Sequence, residues 1–150
     1  MNWLQELLSD KNLEAHLSAF IKCYGKPGLF QALQSYTNMQ QEYICKTKNS
    51  MSKIPIGDIF YLEINKHTIT IHTDSNIHQK YGSLNHELKY LPHAEFVKCN
   101  KSCIVSIRKI KSIYDNDIIL TDNTKIHMSR TYAPQVIIAF SHFFGTKPRS

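Results

Sequence analysis

The chain of 150 residues contains none of the short motifs that mark common catalytic and nucleotide-binding sites. It lacks the phosphate loop GxxxxGK[ST], the dinucleotide fingerprint GxGxxG, the zinc motif HExxH and the nucleophile elbow GxSxG. Its four cysteines include no CxxC pair to accompany its eight histidines, and His67, His72 and His78 are predicted to lie on separate strands or turns. We therefore expect no enzymatic activity, no metal site and no cofactor.

Long apolar runs are also missing. The stretch "VIIAF" is among the longest, and a membrane span needs roughly 20 apolar residues. The amino terminus, "MNWLQELLSDKNLE", has no basic region followed by an apolar stretch, so it is unlike a secretory signal. Glycine and proline are scarce, whereas a hydrophobic content of 42% is enough for a packed core. These features predict a globular, cytoplasmic protein with reduced thiols and no membrane contact.

Positive charge is concentrated in the second part of the chain. Residues 1–50 carry five lysines and four acids, whereas residues 51–150 carry thirteen lysines and arginines and eight acids. The second part is therefore the better candidate for binding an anionic partner, which could be nucleic acid, an acidic protein or a membrane surface. A mildly basic, solvated surface explains the same numbers.

Part of this excess positive charge lies in a segment that otherwise looks like buried strands. The stretch "FVKCNKSCIVSIRKIKSI", residues 96–113, has the apolar side chains of two buried strands, yet it contains five basic residues and no acid. The basic residues are Lys98, Lys101, Arg108, Lys109 and Lys111. Buried strands do not require so much unpaired charge. The basic residues of this segment therefore indicate a function beyond folding.

The hydrophobic period divides the chain into a helical and a β part. Residues 2–38 have helical spacing, interrupted at Gly25 and Pro27. From about residue 40 the period becomes 2, as in "TITIHT", and short turns separate the runs, which favours antiparallel pairing. Ser83 is a candidate cap for one internal helix, and Thr131 for a final helix. The segment "IRKIKSIY" is predicted to be a strand, so Lys109 and Lys111 would share a basic face.

The basic segment resembles the signature of LytTR-type DNA-binding domains. In that family a Phe, a basic residue and a polar pair precede a short S-x-x-V-N element, followed by I-x-x-I. This chain departs from the pattern at Ser106, where the family usually has Asn. The matching positions are Phe96, Lys98, Asn100, Lys101, Ser102, Val105, Ile107, Ile110 and Ile113. The stretches "IPIGDIFYLEI", "YGSLNHELKYL" and "KIHMSRTY" resemble the family's flanking elements in the same order, so the likeness covers about residues 40–144.

The resemblance implies a mainly β (α+β) fold of small antiparallel sheets stacked in an elongated body with one internal helix. It also implies a bacterial transcription regulator that inserts loops, rather than a helix, into successive major grooves. Three positions match the family's DNA-facing residues: His67 in "NKH", Lys101 in "CNKS" and Arg130 in "MSR". Their chemistry fits, because arginine bonds guanine bidentately, while lysine and histidine reach bases or phosphates.

Neighbouring residues complete the predicted interface, through phosphate contacts or general attraction. They are Lys66, Lys98, Asn100, Ser102, Lys109 and Ser129. Four of these assignments have simpler explanations. His67 can be a polar turn residue, Lys101 can be solvated, and Arg130 can pair with an acid such as Glu95. The face of Lys109 and Lys111 can also be merely solvated.

The sequence therefore predicts a sequence-specific regulator that binds double-stranded DNA. Residues 39–150 would form the LytTR-like domain. Residues 1–38 would be a helical extension that forms a homodimer or docks a partner regulator. The alternative is a protein-interaction module of a regulatory system, without DNA binding of its own.

Overall fold

The computed structural model describes residues 2–144, with side chains from residue 5 onward. Residues 2–37 and residues 38–144 form two compact units. The helices are α1 (Asn2–Ser9), α2 (Lys11–Gln40), α3 (Leu84–Leu88) and α4 (Ala133–Phe143). The strands are β1 (Glu42–Lys46), β2 (Met51–Pro55), β3 (Ile59–Asn65), β4 (Thr68–Thr73), β5 (Ile77–Tyr81), β6 (Phe96–Asn100), β7 (Cys103–Ser106), β8 (Ile110–Tyr114), β9 (Asp117–Leu120) and β10 (Lys125–His127). Two 3₁₀ turns occupy Ile56–Asp58 and Ile107–Lys109.

The first unit is helical, as its spacing predicts. Gly25 interrupts α2 with φ 74° and ψ 177°, in a region that glycine enters without a steric penalty, and the helix resumes around Pro27. Among residues 5–37 only Gly28 is buried, and large apolar side chains such as Phe30 and Leu33 are exposed. This unit therefore buries little of its own apolar surface.

The second unit consists of three antiparallel sheets. The strands β1 and β2 form a hairpin, a five-stranded sheet has the order β5-β4-β3-β7-β6, and a three-stranded sheet has the order β10-β9-β8. Every pairing is antiparallel, and short turns close the β1–β2, β3–β4, β4–β5, β6–β7, β8–β9 and β9–β10 hairpins. The mainly β architecture with one internal helix that the sequence predicts is therefore present.

Two hydrophobic cores lie on the two faces of the five-stranded sheet. One core joins the β1–β2 hairpin, α3 and residues such as Leu62 and Ile104. The other joins the three-stranded sheet, α4 and residues such as Val105. Because adjacent residues on a strand point to opposite faces, Ile104 and Val105 enter different cores. This double burial explains why all four residues of β7 are buried.

None of the helices within residues 2–144 combines the length and the apolar character that crossing a bilayer requires.

Helix caps and one strand differ in part from the sequence prediction. Ser83 caps α3 as expected, since its side chain accepts a hydrogen bond from the His86 amide. Thr131 does not cap α4, because Tyr132 occupies that position without a side-chain bond. The predicted strand "IRKIKSIY" starts only at Ile110, after a 3₁₀ turn that contains Lys109. The shared face predicted for Lys109 and Lys111 was therefore wrong.

Candidate nucleic-acid interface

The β3–β4 turn consists of two exposed residues, Lys66 and His67, between the paired residues Asn65 and Thr68. The His67 carbonyl accepts a hydrogen bond from the Gly82 amide at 3.0 Å, which ties the turn to the end of β5. Both side chains project from a backbone that is fixed on either side.

Lys66 adopts a left-handed backbone conformation with φ 60°. The other non-glycine residues with positive φ among the described residues are Asp115 and Asn123, which belong to residue types that enter this region more readily. A lysine here is unfavourable for the turn, and such local strain is concentrated at functional sites. The choice of lysine therefore suggests a role for its charge.

The β6–β7 turn presents Lys101 and Ser102 to solvent. Asn100 organises this turn, since its Oδ1 accepts from the Ser102 amide at 2.8 Å. The Asn100 Nδ2 donates to the His127 carbonyl at 2.9 Å, so the same side chain ties the turn to β10. On the other side, the Ile64 amide donates to the Ser102 carbonyl at 2.8 Å. Asn100 thus positions Lys101, a role that the sequence pattern did not indicate.

Arg130 follows β10 in a short segment that is held at several points. The Ser129 amide donates to the Cys99 carbonyl at 3.0 Å, and the Ser129 carbonyl accepts from the amides of Tyr132 and Ala133. The Ser129 hydroxyl is buried and has no hydrogen-bond partner within the described part of the chain, so it is not presented to a ligand. Arg130 is exposed and forms no ion pair with any described residue.

These three segments meet at one end of the five-stranded sheet, because β3 ends, β4 and β7 begin, and β6 ends there. We call this end the turn edge; it comprises residues 65–67, 100–102 and 127–130. We call the opposite end of the sheet, residues 58–60, 95–96 and 106–109, the far end. At 3.3 Å per residue, the seven-residue β3 separates the two ends by roughly 20 Å.

Two acidic side chains close to the turn edge, Glu63 and Asp117, contact neighbouring side chains. Glu63 Oε1 lies 3.0 Å from His72 Nε2, and the His72 ring stacks on Tyr61 with centroids 4.1 Å apart. Asp117 contacts His127 at 3.2 Å and Lys125 at 3.7 Å. Neither acid pairs with Lys66, Lys101 or Arg130, so these cations are available to an external anion.

Two predicted interface lysines lie elsewhere. The Lys98 ammonium donates to Asn85 Oδ1 at 3.3 Å and lies 5.5 Å from the Tyr132 ring centroid, so its side chain is half-buried on β6. Lys109 belongs to the far end, where its ammonium lies 4.8 Å from the centre of the Phe60 ring. The structure therefore does not bring Lys109 together with His67, Lys101 and Arg130.

The far end also contains the acid that the sequence offered as a partner for Arg130. The buried Glu95 pairs instead with Arg108, at 2.6 Å between Oε1 and a terminal guanidinium nitrogen. Asn38 donates to the other carboxylate oxygen at 2.8 Å. Both oxygens of Glu95 are thus satisfied, and Arg108 has a structural role.

Two thiols lie beneath the β6–β7 turn rather than on its surface. Cys99 and Cys103 are both buried, and the Cys99 thiol lies 3.6 Å from the Cys103 carbonyl oxygen. A hydrogen bond with the Cys103 thiol lowers the pKa of Cys99, while the same contact and burial raise the pKa of Cys103. No cluster of potential metal ligands occurs among residues 2–144.

Comparisons with known proteins point to one family. Residues 49–139 match the model of the LytTr DNA-binding domain. The sensory transduction protein LytT of Enterococcus faecalis (strain ATCC 700802 / V583) is 29% identical over 83 aligned residues, which cover 52% of this chain and 34% of that protein. The chain thus matches about a third of the length of this curated relative. A LytTr DNA-binding domain from Bacillus cereus has a similar fold, with a TM-score of 0.58 and 22% identity over 69% of this chain and 96% of that one.

Proposed function

This chain belongs to the family of LytTr DNA-binding domains, and on that basis we propose that it recognises a specific DNA sequence through the turn edge and thereby regulates transcription. One observation carries the proposal. Three exposed segments with Lys66 and His67, Lys101, and Arg130 meet at one end of a sheet, and backbone hydrogen bonds fix all three. Such fixed, unpaired cations suit a polyanion whose phosphates and base edges have a regular spacing.

Each segment has a chemical role in this proposal. Arg130 forms a bidentate contact with guanine O6 and N7, and Lys101 bonds a guanine or a phosphate. His67 donates to or accepts from a base edge, and Lys66 attracts phosphate. The major groove of B-DNA, about 12 Å wide, admits a two-stranded β-ribbon, so the β6–β7 and β3–β4 hairpins can present their turns without a recognition helix.

Other candidates contribute less directly. We propose that Asn100 and Ser102 mainly hold the β6–β7 turn, whose hydrogen bonds they supply. Lys98 adds long-range attraction from its position on Tyr132. Ser129 fixes the backbone ahead of Arg130, and Lys109 packs on Phe60 at the far end.

The helical unit has a separate proposed role. Phe30, Leu33 and Tyr36 are more than 60% exposed, at 68%, 61% and 64%, and exposed apolar patches of this kind mark interaction sites. We propose that residues 1–38 pair two copies of the chain on repeated DNA sites in the cytoplasm. A regulatory module that binds only proteins is the second candidate, and the same exposed side chains favour it.

Selection from a library of random duplexes tests the proposal and separates the two candidates. We expect the purified chain to enrich one motif and to bind it at least about 10³-fold more tightly than a random duplex at physiological salt. Affinity should also fall steeply with salt. Salt-dependent binding without enrichment would contradict sequence recognition, and no detectable DNA binding would favour the protein-interaction module.

A further inference from the structure

Two exposed lysines outside the predicted interface lie at the β1–β2 turn: Lys46 ends β1, and Lys48 lies within the turn. The turn is internally braced, since the Thr47 amide donates to the Ser50 carbonyl at 2.9 Å. The Ser50 amide donates to Thr47 Oγ1 at 3.1 Å, and the two hydroxyls lie 2.7 Å apart. The lysines therefore project from a defined backbone, as the cations of the turn edge do.

This turn lies next to the end of β5. The Cys45 thiol lies 3.8 Å from the Gln79 carbonyl oxygen, and residues 46–49 line an open groove of about 650 Å³ together with Thr68, residues 79–81, and residues 86–87. Tyr81 pairs with Thr68, the first residue after the β3–β4 turn. The β1–β2 turn is thus at the same end of the sheet as His67.

The groove continues into the turn edge. A second groove of about 770 Å³ surrounds the β3–β4 turn and includes Lys66 and His67. The two grooves share Thr68, Gln79 and Tyr81, so they form one path along the surface. Tyr81 lies between them with 81% of its surface exposed and offers a hydroxyl donor.

The electrostatics of this path favour an anion. Lys46 and Lys48 form no ion pair with any described residue. The acid that lines the first groove, Glu87, is buried and bonded to Lys80 at 3.0 Å and to the Tyr43 hydroxyl. Its charge is therefore balanced within the protein.

The second groove also includes the half-exposed Glu63, which contacts His72 at 3.0 Å. Along the path the exposed lysines, Lys46, Lys48 and Lys66, still outnumber this exposed acid.

We propose that the β1–β2 turn is a fourth DNA-contacting segment, in which Lys46 and Lys48 bind backbone phosphates flanking the site read by the β3–β4 turn. The proposal rests on the proposed function and extends its interface beyond the family-matched residues, which begin at residue 49. Lysine is a flexible point charge without the fork of arginine, so these contacts add affinity and set register rather than select bases.

Charge-matched variants test this directly. Lys46→Gln/Lys48→Gln removes both groove lysines, whereas Lys53→Gln/Lys89→Gln removes two exposed lysines that line neither groove. Affinity is measured against salt for the selected operator and for a random duplex. We expect the groove variant to flatten the log–log slope by about 0.9 for each lost phosphate contact, on both duplexes. The control should keep the wild-type slope.

Ethylation interference locates the lost contacts. The wild-type chain should show interfering phosphates beyond those next to the His67 contact, and the groove variant should lose only these. The base preference of the operator should not change. Equal slopes and equal interference for the groove variant and the control would overturn the fourth segment while leaving the proposed function intact. Failure of the proposed function looks different, because the wild-type chain itself would then show no selected operator.

Discussion

The two ends of the five-stranded sheet use positive charge in opposite ways. At the turn edge, Lys66, Lys101 and Arg130 are exposed and form no ion pair with described residues. At the far end, Arg108 pairs with the buried Glu95 at 2.6 Å, and Lys109 covers the Phe60 ring. The cations of the turn edge are therefore available to a ligand, whereas those of the far end contact other side chains of the fold.

This difference explains the basic segment of residues 96–113. Its five cations do not form one surface, although the segment contains no acid of its own. Lys101 lies at the turn edge, Arg108 and Lys109 lie at the far end, and Lys111 donates to Asn123 Oδ1 at 3.3 Å. The acid that pairs with Arg108 is Glu95, which immediately precedes the segment. A count of charges therefore overstates the number of DNA contacts, and the fold decides which cations are available.

Removing the buried acid at the far end should have the largest effect. Glu95→Ala leaves the half-buried Arg108 without its carboxylate, and breaking a buried ion pair typically costs about 3–5 kcal/mol. We expect a fall of that size in the free energy of unfolding of the second unit, measured by urea denaturation.

The matched control lies near the turn edge. Glu63→Ala removes an acid that is half exposed and contacts His72, so it should cost less than about 1 kcal/mol. Similar losses for the two variants would contradict the distinction between structural charge at the far end and available charge at the turn edge.

Base discrimination by Arg130 should give the next largest effect. Arg130→Lys keeps the charge and loses the planar fork, so preference at one base position should weaken by roughly 1–3 kcal/mol. Binding is measured against operators varied one base at a time, with a random duplex as the control for non-specific affinity. An equal loss on every operator would place Arg130 on phosphate, and no loss on any of them would remove it from the interface.

Much of this fold follows from local patterns in the sequence. The alternation in "TITIHT" predicts β4, with Ile69 and Ile71 buried as expected. The apolar side chains of residues 96–113 also predict buried strands, and all four residues of β7 are buried. Such patterns do not reveal that β7 lies between two separate cores, because that depends on which elements pack on each face of the sheet. The 3₁₀ turn at Ile107–Lys109 also escaped prediction, since its residues have ordinary strand propensities.

Local sequence patterns predicted less of the candidate site than of the fold. The positions of His67, Lys101 and Arg130 came from family resemblance, because nothing local indicates that three distant turns meet at one edge. The positioning role of Asn100 depends on the His127 carbonyl, 27 residues away. The pairing of Glu95 with Arg108 likewise requires the register of β6 and β7, which the sequence alone does not specify.

The assignment of the turn edge as the DNA interface is tested most directly by the salt dependence of DNA binding for two double variants of equal charge. Lys66→Gln/Lys101→Gln removes two lysines of the turn edge. Lys109→Gln/Lys111→Gln removes one lysine of the far end and one lysine of β8. We expect the first variant to flatten the slope of log affinity against log salt by about 0.9 for each lost phosphate contact, and the second to leave the slope unchanged. Equal changes in the two slopes, or a larger change in the second, would contradict the assignment of the turn edge as the DNA interface.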